Sequence, residues 1–519
     1  MKKIYIALIA LATILTASCS EEFVTPVHNS SEPLDEYFNT EARMFESLVA
    51  AYDPLEWFDY SFGEYFALPM FDMLGDDINC GGANEGDRPI LVKTHFYQLT
   101  SQDVVSPIWT ICYSGINRSN VVRQYIDGVE GMAAATRQQW VAEALVLRCF
   151  YYNILWKCWG NIPYYEDNLK EPYFADQLGH DEVYENVVKT LESVFEMNAL
   201  PMKAAVGQEG RVTKAMAYML YAEMVMYQND ESRYQKALDC MKEIISSGQY
   251  SLVSDFAGIW EESGEWGTES IWEINYTSEG SPRDWNNNGI TTGGNVFSVL
   301  IGIAGGNKVG PYIDGWGFCT VNEAAYNMYG EGDIRRDGGI LNLVGKQESA
   351  PNTGDGYTQR WEDTGYFLLK YLAKEGGNHG AKGDTNMGHG NNIRVYRYAE
   401  TLLNAAELAV LLKQDGSSWL KQVRDRAHCT ETGVTRDDIL TERRKELLGE
   451  GKRYWDLVRS GLAPSVLKAS NHPFIPPAVT GPSPRNTGPS LSPRWTKTTS
   501  LPRITTREIA SNEKHLEIY

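Results

Sequence analysis

The chain has 519 residues, of which 43% are hydrophobic and 22% are charged, so it carries enough apolar material for a sizeable core. That composition excludes a disordered or fibrous protein. Asp and Glu number 68 against 47 Lys and Arg, and the formal net charge of -21 disfavours binding to phosphate backbones. Chains of this length usually fold into two or three domains, although single domains of this size exist. No nucleic-acid partner is expected.

Residues 1–18 predict a secretory signal. Lys2 and Lys3 supply a positive start, and a short apolar stretch follows that would not span a bilayer comfortably. Small residues then precede Cys19, and this junction resembles a bacterial lipoprotein signal, in which the cysteine is acylated. The acidic residues Glu21 and Glu22 resemble the surface-export signal of Bacteroidetes lipoproteins. The alternative is an ordinary cleaved signal with an incidental cysteine.

The cysteine and histidine patterns predict no metal or cofactor site. The eight cysteines include no CxxC pair, and the eight histidines add no zinc-ligand spacing. If Cys19 carries lipid, an odd and scattered set of seven remains. Such a set argues against a disulfide framework and requires at least one thiol that stays free or pairs between chains.

Helical patterns recur along the chain. The segment 136–159 is apolar on more than one face, which is typical of a helix packed from two sides in a solenoid or layered bundle. Segments 211–227 and 231–247 carry small residues among large ones and resemble a tetratricopeptide hairpin, with a generic α-hairpin as the alternative. Further helices are predicted at 31–52, 109–125, 393–413, 418–428 and 435–448, the last with a capping box at Thr435 and Asp438.

Residues 250–390 differ from the helical blocks. Gly, Asn, Asp and Trp dominate there, with a short strand-like piece at 270–276 in which Trp272 alternates with apolar residues and is predicted to be core. Loops on a rigid scaffold are where binding sites concentrate. We therefore expect the ligand site in this insertion.

Several sequence blocks, in order, resemble the SusD/RagB family of outer-membrane lipoproteins and together span about residues 36–462. The blocks are AEALVLRCFYY at 142–152 with the exit WGNIP at 159–163, GRVTK at 210–214, RVYRYAETLLNAAE at 394–407, VRDRA at 423–427, and ERRKEL at 442–447 followed by EGKRYWDL at 450–457. The ordered set is specific, although no single block is decisive.

The resemblance implies a mainly α fold, with a tetratricopeptide-like helical scaffold and a large, irregular, loop-rich ligand-binding insertion. It implies a non-catalytic lipoprotein on the outer face of the outer membrane, anchored through Cys19. Its ligand would be an oligosaccharide or polysaccharide, and its partner a SusC-like TonB-dependent transporter. The implied divisions are a signal at 1–18, an anchor and linker at 19–35, the domain at 36–462 with its insertion at about 250–390, and an atypical Pro/Ser/Thr-rich tail at 463–519.

Binding-site candidates are loop aromatics beside amides and charged groups. An aromatic plane covers the C–H face of a sugar, while Asn, Asp and Arg bond its hydroxyl rim. A packed loop aromatic is the alternative in each case. The candidates are Asp284, Trp285, Asn286 and Asn287 in one loop, Tyr312, Asp314 and Trp316 in a second, and Asn79 and Arg88 in the loop 76–88, where family members often place one wall of the site.

Catalytic chemistry finds little support in the sequence. The charges of ERRKEL, with Arg148, Arg397 and Glu407, are expected to form structural pairs between helices. No nucleophile elbow, zinc-protease or P-loop motif occurs. His379 and His389 flank a Gly-rich run that favours a solvated loop over a metal site. A peptide or glycopeptide binder of the same family and a surface glycoside hydrolase remain the alternatives.

Overall fold

The structure is a computed structural model that describes residues 34–59, 66–100, 103, 105–285, 293–305, 309–346 and 356–467. The predicted signal, Cys19 and most of the Pro-rich tail lie outside the described residues. The division of the chain into segments therefore stays a prediction.

Sixteen α-helices occur within the described residues. They are α1 Leu34–Tyr37, α2 Glu41–Tyr52, α3 Pro89–His95, α4 Ser106–Tyr125, α5 Ala134–Trp159, α6 His180–Met197, α7 Lys214–Gln228, α8 Tyr234–Ser246, α9 Phe297–Leu300, α10 Glu323–Tyr326, α11 Ile334–Gly339, α12 Tyr398–Leu411, α13 Ser417–Ala427, α14 Arg436–Glu446, α15 Arg453–Arg459 and α16 Ala463–Val466.

In the part of the chain that the structure describes, six short strands form three antiparallel two-stranded sheets, β1 with β2, β3 with β6, and β4 with β5. Their bounds are β1 Ile162–Pro163, β2 Gln177–Leu178, β3 Ser270–Ile274, β4 Ile340–Asn342, β5 Tyr366–Leu368 and β6 Ile393–Arg397. The fold is therefore mainly α, as predicted.

The long helices pack one upon the next. Contacts run through α2, α4, α5, α6, α7, α8 and α12 in turn, and α12 also meets α13 and α14. Helix α5 is buried along most of its length between α4 and α6, which explains why its apolar residues occupy more than one face. This succession is the scaffold that the sequence predicts.

Two predicted helices were wrong at their starts. Residues 393–397 form strand β6 because Ile393, Arg394, Tyr396 and Arg397 pair with β3, where Trp272 lies fully buried opposite Tyr396. The segment at 31–52 breaks before Glu41, since the Thr40 side chain caps α2 by accepting a bond from Arg43 N. The capping box of α14 is confirmed, with Thr435 and Asp438 bonding reciprocally.

Candidate functional site

Two tryptophans from different loops lie side by side in the insertion. The ring centroids of Trp285 and Trp316 are 5.7 Å apart, and their planes are tilted by 43°. Trp285 is 39% exposed, whereas Trp316 is partly buried and packs against the main core. Such a pair offers a broad apolar surface of the kind that the C–H face of a sugar ring requires.

A carboxylate fixes the indole of Trp285. The Trp285 Nε1–H donates to Asp384 Oδ2 at 2.9 Å, and Asp384 N donates to Arg283 O, also at 2.9 Å. Arg283 is itself buried, and its guanidinium donates to both carboxylate oxygens of Asp59 at 2.9 Å. The exposed ring therefore stands on a backbone that buried groups hold in place.

Close backbone packing fixes the segment that carries Trp316. Trp316 N donates to Val299 O at 3.0 Å, and Gly317 N donates to Gly302 O at 2.8 Å. A Cβ added at Gly315 would lie 2.3 Å from the Cα of Gly302, so only glycine permits this approach.

The loop 76–88 forms a wall beside this segment. Gly82 N donates to Gly317 O at 2.9 Å, one residue beyond Trp316. At its start, Asp77 accepts from Arg444 Nε at 2.9 Å, which ties the wall to helix α14. The predicted loop therefore lies next to one of the two tryptophans.

The two side chains predicted in that loop are placed differently. Asn79 is buried, and its Nδ2 donates to Glu362 O at 3.1 Å, so its amide supports the fold. Asn79 is not part of the site proposed below. Arg88 is partly buried and adopts a left-handed conformation, with φ 54°, immediately before α3.

The remaining predicted residues lie around the tryptophan pair in the sequence. Asp284 is partly buried next to Trp285, and Asp314 is exposed two residues before Trp316. The ring of Tyr312 is partly buried, with Lys374 Nζ 5.9 Å from its centroid. Asn286 and Asn287 lie outside the described residues.

A buried glutamate fastens the wall to the Trp316 segment. Glu362 Oε2 accepts from Cys80 N at 3.0 Å and from Gly81 N at 3.4 Å, while Glu362 O accepts from Thr320 Oγ1 at 2.8 Å. Burial raises the pKa of Glu362 to about 7, although the two backbone N–H groups act in the opposite direction. Three loops thus meet at one residue, through its carboxyl group and its backbone carbonyl.

Sequence reasoning missed Asp384, Glu362 and Lys374. Asp384 lies in the Gly-rich run that was interpreted as a solvated loop, and a Cβ at Gly383 would lie 2.0 Å from Arg283 O. A glycine directly before an acidic residue was therefore the available signal of close approach. Glu362 and Lys374 carried no distinguishing pattern.

The charges of ERRKEL form structural ion pairs, as predicted. Glu446 pairs with Arg397, Arg426 and Arg335, all of them buried. Burial alone would raise the pKa of Glu446, but the surrounding guanidinium groups lower it below its ordinary value. Glu442 pairs with Arg424 and Arg335, Arg443 with Asp456 and Glu400, Arg444 with Asp76 and Asp77, Glu407 with Arg459 and Arg436, and Arg148 with Glu166.

A small polar cavity adjoins this network. It measures about 30 Å³ and is lined by Lys157, Glu223, Lys452 and Trp455, among others. About 10–15 Å³ of such space holds one water molecule, so the cavity has room for about two and cannot admit a sugar.

The two histidines of the Gly-rich run lie in contrasting environments. His379 is exposed, with Nδ1 3.0 Å from Gly376 O, whereas His389 is fully buried. Burial lowers the pKa of His389 to about 4. The interpretation of a solvated loop was thus wrong at His389, which the fold encloses. Within the described ranges, no group of three His, Cys, Asp or Glu side chains is placed to hold a metal.

The chain belongs to the SusD family. The SusD family model matches residues 268–474, and a second model, described as starch-binding associating with outer membrane, matches residues 86–225. Together the two models cover most of the long helices and most of the insertion.

Solved structures and curated relatives agree with this assignment. Surface glycan-binding protein A from Bacteroides thetaiotaomicron, solved in complex with laminarihexaose, is 41% identical with a TM-score of 0.78, over 83% of this chain and 93% of that one. A laminarin-binding SusD-like protein is 26% identical with a TM-score of 0.75, over 86% and 99%. A SusD-like protein of Formosa agariphila is 24% identical over 72% of this chain and 73% of its own length.

None of the helices in the described part of the chain is both long and apolar enough to cross a membrane.

Proposed function

We propose that this protein binds a laminarin-type glucan at the cell surface and passes it, uncleaved, to a SusC-like TonB-dependent transporter. The pair of tryptophans, Trp285 and Trp316, is the observation that carries the proposal. One of its rings is exposed while the loops beneath are fixed by buried groups. A rigid aromatic surface binds with little loss of conformational entropy.

The choice of glucan rests on similarity. A relative that is 41% identical was solved with laminarihexaose, and a second relative is described as laminarin-binding. Charged side chains close to the pair in sequence, and one from the wall loop, would supply the polar groups that sugar hydroxyls require. The described candidates are Asp284, Asp314 and Arg88, and sequence adds Asn286 and Asn287.

Calorimetry with laminarihexaose tests the binding step. Wild-type protein should bind, and Trp285→Ala should lose most of the affinity. Phe174, which is 55% exposed in another loop, provides the matched control, because Phe174→Ala removes an exposed aromatic far along the chain from both tryptophans. Equal affinity in all three proteins would remove the tryptophan pair from the site.

The alternative of a surface glycoside hydrolase predicts that the protein cleaves laminarihexaose into shorter oligosaccharides. Asp384 already accepts a hydrogen bond from Trp285, so this carboxylate is engaged in positioning the platform. Wild-type protein incubated with laminarihexaose should return it intact on chromatography. Shorter oligosaccharides would establish the hydrolase instead, and binding of peptides but not glucans would establish the peptide binder.

The anchor and the transporter need a separate experiment in the native host. Cys19→Ala should release the protein from membranes, and wild-type protein should co-purify with a TonB-dependent transporter. Membrane retention of the variant would contradict lipid attachment at Cys19, whatever the glycan result.

A further inference from the structure

Two buried cysteines meet where the wall loop contacts the Trp316 segment. Ile78 lies opposite Val321 and Gly81 opposite Phe318 in antiparallel bridges. Counting inward from either bridge sets Cys80 opposite Cys319. Cys319 N donates to Cys80 O at 2.9 Å, which confirms that these two residues adjoin.

The backbone separation suits a covalent link. Residues directly opposite each other across an antiparallel pair have Cα atoms about 4.5–5.5 Å apart, within the range of roughly 4.4–6.8 Å that disulfides span. Both residues are buried, at 0% and 2% exposure, and the two thiols are unbonded in the structure. Burial, then Glu362 and then Cys319, raises the pKa of Cys80, so the thiol of Cys319 lies close enough to act on it.

We propose that Cys80 and Cys319 form a disulfide when the protein is exported into an oxidising compartment. The bond formed is Sγ–Sγ. Two thiol protons and two electrons pass to a protein disulfide or a small-molecule disulfide, which is reduced to two thiols. The inference rests on the proposed export of the protein but not on the identity of its glycan.

Burial determines when the bond forms. The thiolate is the attacking species, and burial raises the pKa of both thiols in the folded chain, which keeps them protonated and shielded. Oxidation must therefore precede closure of the loop over the pair. Once formed, the bond is equally shielded from reductants.

The link would join the wall of the site to the segment that carries Trp316. Gly82 and Gly317 hydrogen-bond immediately beyond the two cysteines, and Glu362 holds the backbone of Cys80 from the other side. A disulfide at this point would lower the conformational entropy of the unfolded chain. This effect grows with the number of residues between the two cysteines, and here that number is large.

A second buried pair provides a matched control. Cys112 and Cys158 lie in helices α4 and α5, and Cys158 contributes to the raised pKa of Cys112. No strand pairing sets these two residues opposite each other. We expect this pair to stay reduced.

The experiment maps thiols in the mature chain, secreted through the periplasm of an expression host in a soluble form that begins after Cys19. The protein is unfolded without reductant, alkylated and analysed as peptides. Five of the seven cysteines should react, and one linked peptide should contain Cys80 and Cys319.

Single variants then test the pairing. Cys80→Ser and Cys319→Ser should each free the partner thiol, so that all six remaining cysteines react, whereas Cys112→Ser should keep the linked peptide. Reaction of all seven thiols in the wild type, or a link to any other cysteine, would overturn the proposal. Because the map needs no ligand, its result is independent of laminarihexaose binding by the same sample.

Discussion

The helices α12 to α15 and the loops around Trp285 are both rich in polar side chains, yet the two regions use them in opposite ways. Around helix α14, Glu446 and the three arginines that it pairs with are almost completely enclosed. In the loops, buried ion pairs such as Arg283 with Asp59 lie beneath an exposed aromatic surface. Closely spaced charges in this sequence therefore indicate structural ion pairs. The candidate site is the aromatic surface that stays exposed above such pairs.

The largest expected effect concerns the helical network. Glu446→Gln removes the carboxylate that faces three buried arginines, and breaking a buried pair in this way costs about 3–5 kcal/mol of unfolding free energy. Denaturant unfolding measures it, and the protein that remains folded should bind glucan with unchanged affinity. Glu185, which is half-exposed beside Arg233, is the control, and Glu185→Gln should cost less than about 1 kcal/mol.

His389 tests whether the loop region adds its own stability. Its pKa falls from 6.5 to about 4 in the folded state, so unfolded chains bind the extra proton as the pH drops. The stability contributed by neutral His389 is fully present above about pH 6.5 and is lost progressively towards pH 4, by about 3 kcal/mol.

The readout is the pH dependence of the unfolding free energy. His389→Gln should flatten this profile between pH 6.5 and 4 relative to wild type. His379→Gln, at an exposed position of the same run, should leave the wild-type profile intact. An identical slope in wild type and His389→Gln would show that the loop opens before the chain unfolds.

Trp285→Ala should lower the affinity for glucan and leave the stability of the fold almost unchanged, which is the opposite of the result expected for Glu446→Gln. Aromatic anchors at the centre of an interface contribute about 2 kcal/mol or more, a loss of roughly thirtyfold in affinity for laminarihexaose. The unfolding free energy should change by only about 0.5 kcal/mol, because the ring is a surface group. A large fall in melting temperature with little effect on binding would instead class Trp285 with the core.

The smallest expected effect tests whether Asp384 holds Trp285 in position or contacts the ligand itself. Asp384→Ala removes the acceptor for Trp285 Nε1, and we expect affinity to fall by about 1 kcal/mol, or roughly fivefold. Asp384→Asn keeps an acceptor oxygen and should recover most of that loss. If both variants bind equally weakly, the charge of Asp384 acts on the ligand directly.

The scaffold was predictable because each helix has a recognisable pattern within a short stretch of sequence. Helix α5 shows its two apolar faces, and α14 shows its capping box, within a few turns of sequence. Strand β6 was misassigned because residues 393–397 join a long apolar helix pattern. Only pairing with a strand more than a hundred residues earlier selects the extended form.

The residue types of the candidate site could be predicted from the composition of the loops, but the contacts between those residues could not. Trp285 and Trp316 were singled out as separate candidates, and their contact depends on long-range loop packing that no periodicity records. Asn79 was also a candidate in sequence, yet its amide is buried against Glu362. Whether a single loop residue is buried depends on the whole fold, so composition alone could not separate a buried side chain such as Asn79 from an exposed one such as Trp285.

The 43° tilt between the two indole planes limits the shape of a chain that touches both. A flat, ribbon-like polymer would lie face-on against one ring and meet the other only at an edge. A chain that turns between neighbouring units can present one sugar face to each plane in succession. If the pair is the glycan site proposed above, it would favour a curved ligand, and the hydrogen bond from Trp285 Nε1 to Asp384 would help to hold the ring in that orientation.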